Sequence, residues 1–122
     1  MKTDEVKDFF KHDLDHLLAL CNRHRRDLLA DNVDQLPVLT EERTDEDIAY
    51  AGKITWVVGK AIQACSVKSR KILTDAYLKR QLDKITMVEM GYSQARYYQL
   101  KQIALIEFAD NFTAYLKEMG VI

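Results

Sequence analysis

Glycine and proline are scarce in this sequence, with four glycines and a single proline in 122 residues. So few breaks leave little room for the many tight turns of a sheet protein and favour helices. Cysteine is scarcer still: Cys21 and Cys65 lie far apart with no second cysteine near either, which excludes a zinc pair or a redox pair readable from spacing. No run reaches the roughly 18 apolar residues of a membrane span, and the first six residues lack the apolar stretch of a secretion signal. The expectation is a cytoplasmic, nucleoid-associated protein with reduced thiols and no membrane partner. Catalytic signatures are missing too, since no nucleophile elbow, phosphate-binding glycine loop or HExxH pair occurs. We therefore expect no enzyme and no cofactor.

What is present is an ordinary globular balance, 48% hydrophobic and 30% charged residues. A chain of this size buries roughly two-thirds of the surface its unfolded form exposes, enough for one core without disulfides. We read the fold as all-α. The net charge of -1 conceals an asymmetry: residues 1–52 carry 7 Lys/Arg against 13 Asp/Glu, and residues 53–122 carry 11 against 6. Such a division suits an acidic half that stays off polyanions and a basic half that meets one. A chance fluctuation along a solvated surface is the equal alternative.

Phe10, Leu14, Leu17, Cys21, His24 and Leu28 recur at alternating spacings of four and three, which predicts one long helix over residues 5–30 with a single apolar stripe. Its partner is either the rest of the chain or the same helix in a second copy, giving a homodimer through a short coiled-coil seam. Residues 31–45 hold the proline, two threonines and many acids and read as a hinge outside the core. The chain thus divides into an N-terminal helix with an acidic connector, 1–45, and a helical domain, 46–122. Thr44 and Asp47 fit an N-cap and its reciprocal partner, opening a helix to about Cys65 with Ile48, Ala51, Ile54, Val58, Ala61 and Ile62 inward. Ser66 fits the cap of the next helix, whose inward face is Ile72, Leu73, Ala76 and Tyr77 and whose surface carries Lys68, Arg70, Lys71, Lys79 and Arg80. A short helix from about Lys84 to Met90 comes next, its apolar face ambiguous among Ile85, Met87, Val88 and Met90.

The stretch GYSQARYY, residues 91–98, holds the main functional signal. Gly91 fits the left-handed residue that ends many helices, and Ser93 the N-cap of the next. Tyr97, Leu100, Ala104, Leu105, Phe108, Phe112 and Leu116 then keep helical spacing to an end at Gly120. Two helices joined by a tight glycine turn have the shape of a helix-turn-helix, here at about 84–112, whose second helix enters the major groove of DNA by its N-terminal turn. The inward set leaves Gln94, Ala95, Arg96, Tyr98, Gln99 and Lys101 at the surface or its edge. Arginine chelates guanine, glutamine pairs with adenine, and lysine or a tyrosine hydroxyl holds phosphate. With Ser93, Lys84 and Arg80 these form the candidate DNA-binding set. A cation beside a helix N-terminus opposes the macrodipole, so Arg96 is expected to answer to double-stranded DNA rather than to the helix.

The segment MGYSQARYYQLKQIALIEFADNF, residues 90–112, resembles the C-terminal signature of the ArpU family of phage packaging and lysis transcriptional regulators. The matching elements are Gly91, Tyr92 and Ser93, then Tyr97 and Tyr98, Lys101, Ala104 and Leu105, and Phe108 and Ala109. LPVLT at Leu36–Thr40 and SRKILTDAYL at Ser69–Leu78 are similar to the family's connector and penultimate helix. Met90 stands where the family usually has leucine, a volume-conserving exchange. The resemblance implies a sigma-factor-like helix-turn-helix acting on late promoters of a phage or prophage, with host RNA polymerase as a second partner. It says least about the acidic half.

Other constellations are weaker. His12 and His16 lie four apart with Asp13 and Asp15 beside them, but a structural metal site needs four ligands and spacing places no others, so no metal is expected. Arg23, Arg25 and Arg26 read as a solvated face that balances Asp27 and Asp31, with a second DNA or protein contact as the minority reading. The rival to DNA binding is a helical protein-interaction adaptor in which the helix-turn-helix is only a packing solution.

Overall fold

The computed structural model describes residues 1–37 and 45–122. The architecture is all-α: five helices carry it, with no strand among the described residues. The first, α1, covers residues 3–20 as Thr3–Asp8, a wide π turn at Phe9–Asp13, and Leu14–Leu20. The extra residue of a π turn shifts the register of the helix beyond it, and Val6, Phe9, Phe10, Leu14 and Leu18 are buried.

The single helix expected over residues 5–30 therefore stops ten residues early. Asn22 takes a left-handed φ of 54°, which asparagine tolerates better than most residues, and Arg23 N–H closes the end on the Leu18 carbonyl at 2.9 Å. The Arg23 side chain then turns inward. It donates to the Gly52 carbonyl at 2.7 Å, to Thr55 Oγ1 at 3.0 Å and to the Pro37 carbonyl at 2.9 Å. Arg25 is likewise covered, so only Arg26 of the arginine cluster matches the expected solvated face. A 3-10 turn at Arg25–Leu28 places Leu28 in the core while His24 stays outside.

The connector departs from expectation as well. Val33, in a second 3-10 turn at Val33–Gln35, is fully buried, so the described part of the connector, residues 31–37, is part of the packing rather than a hinge outside it. Thr44, read as an N-cap, and Val38–Thr40 of the connector motif lie outside the described residues. The cap of α2, Glu46–Gln63, is Asp45, whose carboxylate accepts from Asp47 N–H at 2.8 Å. Burial along α2 extends well beyond one stripe, taking in Ala49, Gly52, Thr55, Val57 and Gly59 besides the expected inward set, while Ile48 is only half-buried. Small residues explain this. A Cβ on Gly59 would lie 2.5 Å from Val33 Cγ2 and 3.0 Å from the Leu28 carbonyl, so only glycine lets the two 3-10 turns lie against α2.

The remaining helices are α3 over residues 67–78, with a π turn at Thr74–Leu78, α4 at Asp83–Met90 and α5 at Gln94–Glu118. All seven apolar positions expected inward on α5 are buried. One core serves both ends of the chain: Phe10 stacks on Tyr77 with centroids 4.3 Å apart and meets Phe108 at 4.8 Å, while Phe9 meets Phe112 at 5.5 Å. The apolar stripe of α1 is consumed inside its own chain. It is therefore not free to form the coiled-coil seam of a homodimer.

Gly59→Ala tests the tight approach. Added helix propensity of about 1 kcal/mol competes with overpacking of about 1–3 kcal/mol, and contact with the backbone carbonyl of Leu28 makes the clash the larger effect. The expected outcome is a lower urea midpoint with an unchanged m-value.

Candidate nucleic-acid interface

The turn between α4 and α5 is set by local chemistry. Gly91 has φ +74° and nothing within 4 Å of where a Cβ would stand, so its requirement is conformational rather than steric. Gly91 N–H donates to the Val88 carbonyl at 3.2 Å and Tyr92 N–H to that of Met87 at 3.3 Å, the pairing of a Schellman end. Two residues on, Ser93 Oγ accepts from Arg96 N–H at 3.2 Å and caps α5.

Around this start Ser93, Gln94, Ala95, Arg96, Tyr98 and Gln99 are exposed, and Tyr97 and Leu100 are buried beneath them. Among the described residues the Arg96 side chain makes one hydrogen bond, Nη1 to Gln99 Oε1 at 3.3 Å, between two surface groups. At 100° per residue Arg96 and Gln99 share one edge of the helix and Gln94 and Tyr98 the other. The six side chains thus wrap the free face of the first turns.

The three other cations of the candidate set behave differently. Lys84 is exposed on α4. Lys101, expected at the surface or its edge, is half-buried, held by Asp83 at 2.8 and 2.9 Å and 5.5 Å from the Tyr77 ring centroid. Its position four residues after buried Tyr97 puts it on the inward side of the helix. Arg80 is exposed but gripped by both oxygens of Asp15, at 2.8 and 3.0 Å.

Polar contacts mount α4, which buries only Thr86 completely. Met87 and Met90 pack partly against the core, and Leu82, Ile85 and Val88 face outward, which resolves the ambiguous face. Asp83, in the first turn of α4, accepts from Tyr97 Oη at 2.7 Å as well as from Lys101. Buried Asp75 on α3 accepts from Thr86 Oγ1 at 3.3 Å and from Lys71 Nζ at 2.8 Å. The α3 end of the unit is held similarly. Ser66 stands at the N-cap position but its hydroxyl donates to Glu107 Oε2 at 3.0 Å, and its N–H to Oε1 at 3.0 Å. The expected serine cap is thus replaced by a carboxylate from α5. Burial pushes the Glu107 carboxyl up, but hydrogen bonds from Ser69 and Ser66 outweigh it and hold the group below its ordinary range.

A groove of about 680 Å³ opens beside Tyr98, between α1 and the junction of α3 with α4. Lys7 and Lys11 of α1 line it together with Arg80 and Leu82. Neither lysine belongs to a sequence motif. The readable signal was their spacing of four on a helix whose apolar stripe lies alongside. Among the described residues no metal-ligating cluster of three groups occurs, and His12 and His16 are both exposed.

Burial pushes the Tyr77 hydroxyl up to about 12, and burial with the neighbouring Asp83 raises Tyr97 as well. A tyrosine raised above its unfolded value of about 10 contributes stability that is complete below pH 10 and lost as pH rises through the folded value. Urea midpoints should hold level up to about pH 10 and fall towards pH 12, with Tyr77→Phe falling less steeply. Comparison of the chain with protein-family models, with characterised proteins and with solved structures finds no match.

Proposed function

We propose that this chain is a DNA-binding transcriptional regulator that reads promoter DNA with the first turns of α5, of the kind that controls late packaging and lysis genes in a phage or prophage. The observation that carries the reading is the outward set Gln94, Arg96, Tyr98 and Gln99 above the buried anchors Tyr97 and Leu100. Amide and guanidinium groups of this type match base edges in the major groove. The first amides of a helix have no partner within it, and a phosphate is favoured at such a start. Lys84, exposed and without an ion pair among the described residues, supplies a backbone contact. Lys101 has no part in this reading, because Asp83 holds it.

Host RNA polymerase is the natural second partner of such a regulator. Leu82, at the N-cap of α4, and Ile85 and Val88 within it recur every three residues and are 69%, 48% and 75% exposed, an apolar edge beside the reading turn. The same edge favours the second reading, a helical adaptor that binds protein and no DNA.

Fluorescence anisotropy on duplexes from the neighbourhood of the protein's own gene, at several salt concentrations, separates the two. Arg96→Ala should reduce discrimination between bases by about 1–3 kcal/mol. An equal loss on all sequences would assign Arg96 to a phosphate. Absence of binding to any duplex at low salt, with Ile85→Ser and Val88→Ser abolishing capture of polymerase, would replace the DNA reading with the adaptor.

A further inference from the structure

Among the described residues four turns at helix ends use a left-handed residue: Asn22, Arg80, Gly91 and Gly120. Two are glycine and one is asparagine, the residues that adopt this conformation with least strain. Arg80 is the exception. It has φ 55°, and Gln81 N–H passes beyond it to the Asp75 carbonyl at 2.7 Å, closing the end of α3. Glycine would satisfy that geometry better, so the arginine is explained by its side chain or not at all.

Among the described residues the Arg80 guanidinium bonds only to Asp15, and both groups are more than half exposed. Exposed pairs of this kind contribute little net stability, no more than the backbone strain costs. Asp15 has a second, better covered partner in Arg25 at 2.9 Å, and the Arg25 hydrogen bond with the two arginine charges holds its carboxyl below the ordinary range. Arg80 can therefore swing away without stranding the carboxylate. What Asp15 presents to Arg80 is a pair of oxygens, the arrangement a phosphate also offers.

Lys7 and Lys11 stand across the same groove. Among the described residues neither forms an ion pair. Tyr98, on the edge of the proposed reading turn, lines the groove too, as do Asp15 and Asp83, each paired with a cation, so the groove runs on to that turn.

We infer that the groove formed by Lys7, Lys11 and Arg80 is a phosphate-backbone clamp for duplex DNA, through which the N-terminal helix grips the strand flanking the base-reading turn. In free protein Asp15 occupies Arg80; on DNA a phosphate takes its place. The inference rests on the DNA-binding reading and adds a contact from the half of the chain that is acidic overall. Contacts of this type position the protein and carry no base information.

The test is anisotropy at about 50–200 mM salt on a cognate and a scrambled duplex, with wild type, Lys7→Gln/Lys11→Gln and Arg80→Gly. Each lost phosphate contact lowers the slope of log affinity on log salt by about 0.9. The double variant should lose about 1.8 of slope, and affinity should fall by the same factor on both duplexes. Arg80→Gly should lose about 0.9 of slope while its thermal midpoint stays level or rises. If wild type binds its cognate duplex and the variants keep the full slope, the clamp is wrong and the reading turn stands. Loss of cognate selectivity in the lysine variant would also overturn the clamp, since it would mean base contact. A lowered midpoint in Arg80→Gly with an unchanged slope would assign Arg80 to its pair with Asp15. If wild type binds no duplex at low salt, the DNA-binding reading falls and the clamp falls with it.

Discussion

The Arg25 guanidinium donates to the Phe10 carbonyl at 2.9 Å, to the Tyr77 carbonyl, and to Asp15 at 2.9 Å. Both carbonyls belong to π turns, one in α1 and one in α3, and a π turn interrupts the regular hydrogen-bond ladder of its helix. The ring of Phe10 stacks on that of Tyr77 at an interplanar angle of 8°, so the two irregular turns are joined twice, once through side chains and once through backbone. The placement of α1 against α3, and the groove between them, depend on this junction. It is not free of cost: Arg25 Nε is buried without a hydrogen-bond partner among the described residues, a penalty of about 1–3 kcal/mol.

From this junction the mounting of the turn between α4 and α5 proceeds through carboxylates. Asp75 ties α3 to α4 through Thr86, Asp83 ties α4 to α5 through Tyr97 and Lys101, and Glu107 ties α5 back to the start of α3. A helix as short as α4 has little propensity to stand alone, and its outward apolar edge shows that burial is not what fixes it. Hydrogen bonds have directional requirements that apolar packing lacks. Three such ties around three helices hold the orientation of α5 more closely than the contacts of Met87 and Met90 would alone.

Much of this was legible in the sequence, and the limits track the range of the forces involved. The inward face of α5 and the Gly91 and Ser93 turn were readable because periodicity and capping act within a few residues. The course of residues 21–37 was not, because it is decided by Arg23 reaching Gly52 and Thr55, far along the chain. The same holds for Lys101, whose partner Asp83 lies in another helix, and for Ser66, displaced as a cap by Glu107. At the candidate site the exposed residues at the start of α5 were identifiable, since they are what remains once the buried ones are assigned. Lys7 and Lys11 offered only a spacing of four on a helix, because what sets α1 beside Arg80 is contact between distant residues, Phe10 on Tyr77 and Asp15 with Arg80.

Charge summed along the chain is for the same reason a poor guide to this surface. Such a sum treats residues 1–52 as a unit that repels polyanions, yet the field at a surface is local, with screening over about 8–10 Å at ordinary salt. Within such a distance the fold redistributes the groups. Asp15 is shared between Arg25 and Arg80, Asp34 is taken by Lys60, and in the basic half Asp75 and Asp83 are taken by Lys71 and Lys101. Pairing neutralises acids of both halves at these points and leaves Lys7, Lys11 and Lys84 without such partners among the described residues. The cations left unpaired in this way therefore come from both halves of the sequence. A sum over either half could not have located them, because what decides their availability is which carboxylates the fold has already paired.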